Sequence, residues 1–209
     1  MMKPDYILFT DGSSITEPGK TMQYAAYAFL VINNTMQIST KKSDYIGSGD
    51  SARAELFAIY NGLKYVLSLI KKGQTKSVLV LSDSSFSIAL IERHLIKWYD
   101  GHAVKKKLTD RFQKDSEMFE HLAEIMNDDR LKVIFVHVKS HLDTKNRRDL
   151  QDRIRNAGYM VSDDAAADII RYNHVVDGMA KKETKHLAKQ CGFYSKDRLI
   201  KLIERKTEG

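Results

Sequence analysis

Short apolar runs in the first forty residues predict three β-strands. Tyr6–Phe9 runs directly into Asp11-Gly12, which predicts a strand that stops at a turn. A loop over residues 13–23 should lead into a second strand, Tyr24–Ile32, and a short turn should lead into a third, Thr35–Ser39. Because these connections are short, we expect the three strands to pair antiparallel.

From Ser51 the period of the apolar positions changes from two residues to about 3.6, which predicts a helix that ends at Gly73. Val78–Ser82 has no polar alternation and follows a helix, so it should be a buried strand parallel to the first. A serine, Ser84 or Ser85, should cap the next helix. The later predicted elements are helices at Phe86–Ile96 and Leu108–Met126 and a strand at Val133–Val138. The predicted fold is α/β, a mixed sheet flanked by helices.

Composition narrows the class of protein. The chain of 209 residues is 43% hydrophobic and 29% charged, as expected for a globular domain, and it has no apolar run long enough for a membrane span. A single cysteine, Cys191, excludes an internal disulfide and a thiolate zinc cluster, and we expect no disulfide-linked partner. Residues 1–4 show no export signal, so we expect a cytoplasmic, nucleoid or nuclear location. We also expect a monomer. The net charge of +7 favours a polyanionic partner.

Acidic residues follow both strands that should lie parallel. Asp11 and Asp83 come at the predicted strand ends, and a right-handed crossover would bring them side by side. Glu55 lies near the start of the helix between them. Taken singly, Asp11 fits a turn and Glu55 fits a helix N-terminus that favours acids. Together they predict a site at the rim of the sheet.

Five segments, in chain order, resemble the motifs of type 1 ribonuclease H: Thr10–Ser13, Ala52–Leu56, Ser82–Ser84, Val138–His141 and Asn173–Asp177. The resemblance runs from Tyr6 to Ala188. It implies a ribonuclease H-like five-stranded sheet, three antiparallel strands and then parallel ones, in a catalytic domain over 1–189. Residues 190–209 would form a basic helical extension.

The resemblance also implies the chemistry. Asp11, Glu55, Asp83 and Asp177 would hold two Mg²⁺ ions, with Mn²⁺ as a substitute. Converging carboxylates require positive charge among them, and two ions can clamp a phosphodiester. His141 would assist proton transfer or product release. The implied reaction is endonucleolytic hydrolysis of the RNA strand of an RNA–DNA hybrid, leaving a 3′-hydroxyl and a 5′-phosphate.

Three departures from the family pattern stand out. Ser140 replaces a glycine, and Ser51-Ala52 replaces asparagines that contact nucleic acid in the family. The family spans the gap between His141 and Asp177 in about ten residues, whereas here a charged insertion, 142–172, intervenes and could form a short helical lid. Asp164 and Asp168 within it rival Asp177 as the fourth carboxylate. No motif distinguishes His174 from an ordinary surface histidine.

Several residues are predicted to contact nucleic acid. Trp98 and Lys105, Lys106 and Lys107 resemble a basic protrusion that grips DNA, although a core tryptophan beside solvated lysines fits the pattern as well. Ser13 and Ser14 are placed to meet a 2′-hydroxyl. The remaining motif residues predicted as contacts are Arg53, Ser84 and Asn173. Two other functions remain open, a DNA-directed nuclease of the same superfamily (a junction resolvase or an exonuclease) and a binding module without catalysis.

Overall fold

The sheet has five strands in the order β3-β2-β1-β4-β5. The structure, a computed structural model, describes residues 3–16, 21–95, 110–139 and 143–191. The strands are β1 (Tyr6–Thr16), β2 (Gln23–Asn33), β3 (Ile38–Ser48), β4 (Lys76–Ser82) and β5 (Leu131–His137). The first three pair antiparallel, and β1, β4 and β5 lie parallel, so the predicted mixed sheet is confirmed.

Helices cover both faces of the sheet. They are α1 (Ser51–Leu69), α2 (Ser85–Leu90, continued by a π-helical turn at Ile91–Leu95), α3 (Asp110–Gln113), α4 (Ser116–Met126), α5 (Arg147–Asn156) and α6 (Asp163–Gln190). Within the described part of the chain, none of them combines the length and the apolar character that a bilayer crossing needs.

Alternation along the central strands divides the core into two layers. Leu8, Val78 and Val80 face α1 and α4, where they pack with fully buried residues such as Leu63 and Phe119. The intervening residues face α5 and α6 and meet Leu150, Ile154, Ile169, Val176 and Ala180. Parallel strands buried on both faces explain why β4 reads as an unbroken apolar run.

The predicted bounds of two strands, β1 and β3, were wrong. β1 does not stop at Asp11-Gly12 but continues to Thr16, because its backbone stays paired with β2 as far as Thr16 and Gln23. Residues 13–16 and Gln23 of the predicted loop are therefore strand. β3 begins at Ile38 and runs to Ser48, beyond the predicted Thr35–Ser39. Its polar sequence is that of an exposed edge strand, where lysines oppose pairing with another sheet.

The helices also differ from their predicted bounds. The segment predicted at Leu108–Met126 is described from Asp110 and is split into α3 and α4. The sequence predicts an amphipathic helix that opens at Asp177, whereas α6 begins at Asp163. Ser162 caps α6, its Oγ accepting from the backbone N–H of Ala165 at 3.2 Å. Within the insertion, Leu150 and Ile154 anchor α5 in the core, and the residues from Asp163 onward lengthen α6. The short lid stays a prediction. The proposed extension lies outside the described residues after Cys191.

Candidate active site

Asp11 lies on the part of β1 that extends past its parallel neighbour. Pairing with β4 ends at Phe9 and Leu81, whereas pairing with β2 continues, so that Asp11 lies opposite Ala28. Its side chain therefore lies in the space beyond the carboxyl end of β4. This edge of the sheet is where an α/β fold places its ligand site.

Glu55 reaches Asp11 because α1 begins almost in contact with β1. The backbone N–H of Gly12 donates to Glu55 Oε1 at 2.8 Å. A Cβ on Gly12 would clash with the backbone N of Glu55 and would lie 2.8 Å from the Ala54 carbonyl carbon. Only glycine therefore permits this approach. Asp50 caps α1, accepting from the Arg53 backbone N–H at 2.9 Å, and so fixes the first turn that carries Glu55.

Asp83 follows the last residue of β4 and completes a set of three carboxylates. Asp11, Glu55 and Asp83 each offer an oxygen, and these oxygens lie within 4.8 Å of one another. The carbonyl oxygen of Asp83 lies 3.1 Å from Nε2 of His137, at the end of β5. The two neighbouring parallel strands are thus joined where the acid emerges.

Asp177 brings a fourth carboxylate from the middle of α6. Lys181, one turn later, places its Nζ 2.6 Å and 2.8 Å from the two carboxylate oxygens of Asp177. Thr184 Oγ1 donates to the carbonyl oxygen of Ser13 at 3.2 Å, which ties α6 to β1 two residues beyond Asp11.

The rival acids of the insertion lie elsewhere on α6. Asp168 pairs with Arg171 at 3.0 Å, and Asp164 is exposed in the first turn. Asp168 lies nine positions before Asp177 on the helix, which turns its side chain about half a revolution away. The geometry therefore supports Asp177, although its role as a metal ligand stays a prediction.

The four carboxylates line one cavity of about 290 Å³. Its wall also contains two residues whose contribution the sequence patterns did not reveal, His174 and Lys181, with Asn173 beside them. His174 lies three residues before Asp177 and Lys181 lies four residues after it, which is the spacing of side chains on one face of a helix. That spacing could be interpreted only once Asp177 was known to lie within a helix. The remaining lining residues are Thr10, Gly12 and Ser51.

Crowding of the acids changes their acidity. Burial, followed by the charges of Asp83 and Asp177, raises the pKa of Asp11 to about 7. Burial, followed by the charges of Asp11 and Asp83, raises the pKa of Glu55 well above its usual range. Glu55 Oε2 is buried and has no hydrogen-bond partner among the described residues. An oxygen-only donor set with excess negative charge and an orphaned carboxylate oxygen fits a hard divalent cation.

The predicted nucleic-acid contacts fall into different surroundings. Asn173 lines the cavity, and Ser13 and Ser14 lie on β1 just beyond Asp11. The Ser84 hydroxyl caps α2 and accepts from the Ser87 backbone N–H at 3.2 Å, which confirms the predicted cap.

Arg53 is engaged within the protein. Its Nε and Nη2 each donate to Asp115 at 2.6 Å, and its Nη1 contacts the carbonyl oxygens of Ile46 and Ser48. A nucleic-acid contact from Arg53 stays a prediction that would require these partners to be released. His141, Trp98, Lys105, Lys106 and Lys107 lie outside the described residues, as does Ser140.

The strand order and the acidic cavity define the class as a ribonuclease H-like α/β protein. The family model for RNase H matches residues 3–159, three quarters of the chain. The chain therefore belongs to the RNase H family. The matched range contains Asp11, Glu55 and Asp83 and ends before α6, so it does not include Asp177.

Solved structures agree on the fold. The RNase H domain of prototype foamy virus has a TM-score of 0.61 at 19% identity, covering 88% of this chain and 96% of that one. The N-terminal RNase H domain of rv2228c from Mycobacterium tuberculosis, solved as a fusion with maltose-binding protein, has a TM-score of 0.52 at 16% identity. That match covers 91% of this chain and 100% of the other. A foamy viral protease-reverse transcriptase in complex with RNA/DNA hybrid has a TM-score of 0.58 at 13% identity, and the match covers 87% of this chain. This chain spans only about a fifth of that protein, 20%. A comparison with curated proteins found no match.

Proposed function

We propose that this protein hydrolyses the RNA strand of RNA–DNA hybrids internally, leaving a 3′-hydroxyl and a 5′-phosphate, with two divalent metal ions. The observation that carries the proposal is that Asp11, Glu55 and Asp83 each bring a carboxylate oxygen within 4.8 Å of the others, and that Glu55 also has a buried oxygen without a hydrogen-bond partner among the described residues. Family membership and a structural neighbour that binds RNA/DNA hybrid support the choice of substrate.

Asp11, Glu55, Asp83 and Asp177 would hold the ions, with Mg²⁺ as the expected metal and Mn²⁺ as a substitute. Ions held by these carboxylates would supply the chemistry of a metal-assisted hydrolysis, activation of a water molecule and stabilisation of the departing oxygen.

The protein's own groups set up this arrangement. The Gly12 N–H fixes Oε1 of Glu55, and Oε2 stays buried without a hydrogen-bond partner among the described residues. Lys181 offsets part of the negative charge by pairing with Asp177. His137 holds the backbone that carries Asp83. The site is therefore organised before a cation arrives, which reduces the reorganisation needed for catalysis.

The test is cleavage of an end-labelled RNA–DNA hybrid in Mg²⁺ or EDTA, with duplex DNA, duplex RNA and single strands as controls. We expect metal-dependent cleavage of the RNA strand only, and its loss in Asp83→Asn. Asp164→Asn, the same chemical change on an exposed acid, should retain full activity. Cleavage of duplex or branched DNA instead would assign the protein to the DNA-directed nucleases, and binding without cleavage would leave a binding module.

The same assay decides the fourth carboxylate. Asp177→Asn should lower the rate by about two orders of magnitude or more, the usual scale for a group that organises catalytic charge. Asp168→Asn should leave it unchanged. The reverse outcome would place the fourth ligand within the insertion.

A further inference from the structure

A second groove adjoins the acidic cavity on the side of the insertion. It has a volume of about 580 Å³ and is walled by Ala167, Ile170, Arg171 and Val175 of α6 and by Asp143. His174 lines both the groove and the acidic cavity, so the two are adjacent. The lining is mainly apolar but carries charged groups at its rim, as suits sugars and bases with phosphates beside them.

The start of α5 borders this groove. Asp143 accepts from the backbone N–H of Lys145 at 2.8 Å and so shapes the turn that leads into α5. Farther along α5, Gln151 donates to Asp163 at the first turn of α6 at 2.9 Å. The groove lining places Asp143, just before α5, beside residues 167–175 of α6, whereas Gln151 farther along α5 contacts the first turn of α6, so the two helices run antiparallel.

Three basic residues at this end of α5 form what we call the insertion surface: Lys145, Arg147 and Arg148. Farther along α5, basic residues have acidic partners, Arg153 with Asp149 at 3.1 Å and Arg155 with Asp152 at 2.8 Å.

The insertion surface has no such partners. Lys145 and Arg148 are exposed, and neither side chain pairs with another described residue. Arg147 has a buried Nε without an acceptor in the described part of the chain. The acids nearby are engaged elsewhere, Asp143 with the backbone N–H groups of this turn and Asp149 with Lys139 and Arg153. A helix N-terminus disfavours cations, so basic side chains there without an acidic partner are suited to an anion.

We propose that the insertion surface binds backbone phosphates of the nucleic acid on one side of the scissile bond. The proposal rests on the proposed function, since it assumes that the acidic cavity acts on a nucleic-acid backbone. Arg171 lies six residues before Asp177, about 9 Å along α6, and α5 packs about 8–10 Å to its side. The surface is thus about 10–20 Å from the carboxylates, or about three to six base steps of 3.4 Å.

The experiment measures binding of a fluorescent RNA–DNA hybrid by anisotropy in EDTA, where no cleavage can occur, over a range of salt concentrations. The test variant is Lys145→Ala/Arg148→Ala. The matched control is Lys71→Ala/Lys72→Ala, which removes the same charge from exposed positions just before β4, at the opposite edge of the sheet. Both variants keep the four carboxylates, and circular dichroism checks their folding.

Each phosphate contact contributes about 0.9 to the slope of log affinity against log salt concentration. Losing two contacts should therefore lower that slope by about 1.8. The ratio of wild-type affinity to test-variant affinity should then be about 12-fold larger in 50 mM than in 200 mM salt. The control variant should keep the wild-type slope. Hybrids trimmed by about six base pairs on the side that meets the surface should bind wild type and test variant equally.

Equal slopes for wild type and test variant would overturn the proposal, as would an equal loss in the control. Absence of hybrid binding by the wild type would overturn it too. Cleavage in Mg²⁺ is scored separately. A protein that binds through this surface but does not cleave the hybrid would uphold this inference while contradicting the proposed function.

Discussion

Removing the negative charge of Asp11 should stabilise the metal-free protein. The pKa of this carboxyl rises from 3.8 to about 7 because it is buried and faces Asp83 and Asp177. A rise of that size corresponds to about 4 kcal/mol against the ionised form. Asp11→Asn removes this penalty while keeping the shape of the side chain.

The pH dependence follows from the direction of the change. Below pH 3.8 Asp11 is protonated in both the folded and the unfolded chain, and it contributes no difference. As the pH rises toward 7, the unfolded chain loses the proton first, so the wild type is progressively destabilised. Above pH 7 the penalty is constant. The advantage of Asp11→Asn should therefore be small at pH 4 and reach about 2–4 kcal/mol at pH 8.

The assay is urea unfolding of both proteins in EDTA at pH 4, 6 and 8. Asp129→Asn, at an exposed position at the opposite edge of the sheet, serves as the control and should show no pH-dependent gain. Adding Mg²⁺ at pH 8 should stabilise the wild type and have less effect on Asp11→Asn, since a ligand stabilises the state that binds it. The argument from carboxylate repulsion would be refuted if Asp11→Asn were no more stable than the wild type, or if its gain in free energy of unfolding were equal at all three pH values.

Three other substitutions test how the site is held. Arg53→Ala should lower the free energy of unfolding by about 3–5 kcal/mol, measured by urea, because it leaves Asp115, which is 5% exposed, without its partner. Gly12→Ala should cost about 1–3 kcal/mol and reduce hybrid cleavage by more than tenfold, because the new methyl group would push α1 and Glu55 away from β1. Thr184→Val should weaken Mg²⁺ binding, measured by calorimetry, with a loss of only about 1 kcal/mol of stability, because it releases α6 from Ser13. Wild-type behaviour in any of these assays would contradict the assigned contact.

The apolar runs predicted the sheet because its central strands are buried on both faces. Leu79 and Leu81 alternate with Val78 and Val80 toward two separate cores, and that arrangement demands an unbroken apolar strand. The polar residues of β1 after Asp11 did not reveal a strand, since their pairing with β2 is a long-range contact. Hairpin partners of this kind override local sequence preference.

The acidic site was only partly predictable. Asp11 and Asp83 follow apolar strands, which marks the carboxyl edge of the sheet. Gly12 shows its importance only when α1 is seen against β1, because nothing local indicates which glycine a helix will approach. His174 and Lys181 became visible as cavity residues once α6 was known to run through Asp177 without a break.

The long gap before Asp177 is tolerated because the insertion is not what positions that residue. α6 is aligned on the sheet by Val176 and Ala180 in the core and by Thr184 on Ser13, all close to or beyond Asp177. Residues added before it extend the helix away from the carboxylates and fold back as α5 against the same apolar face. The insertion can therefore carry a new charged surface without moving the acids, which makes phosphate recognition and catalysis separable by mutation.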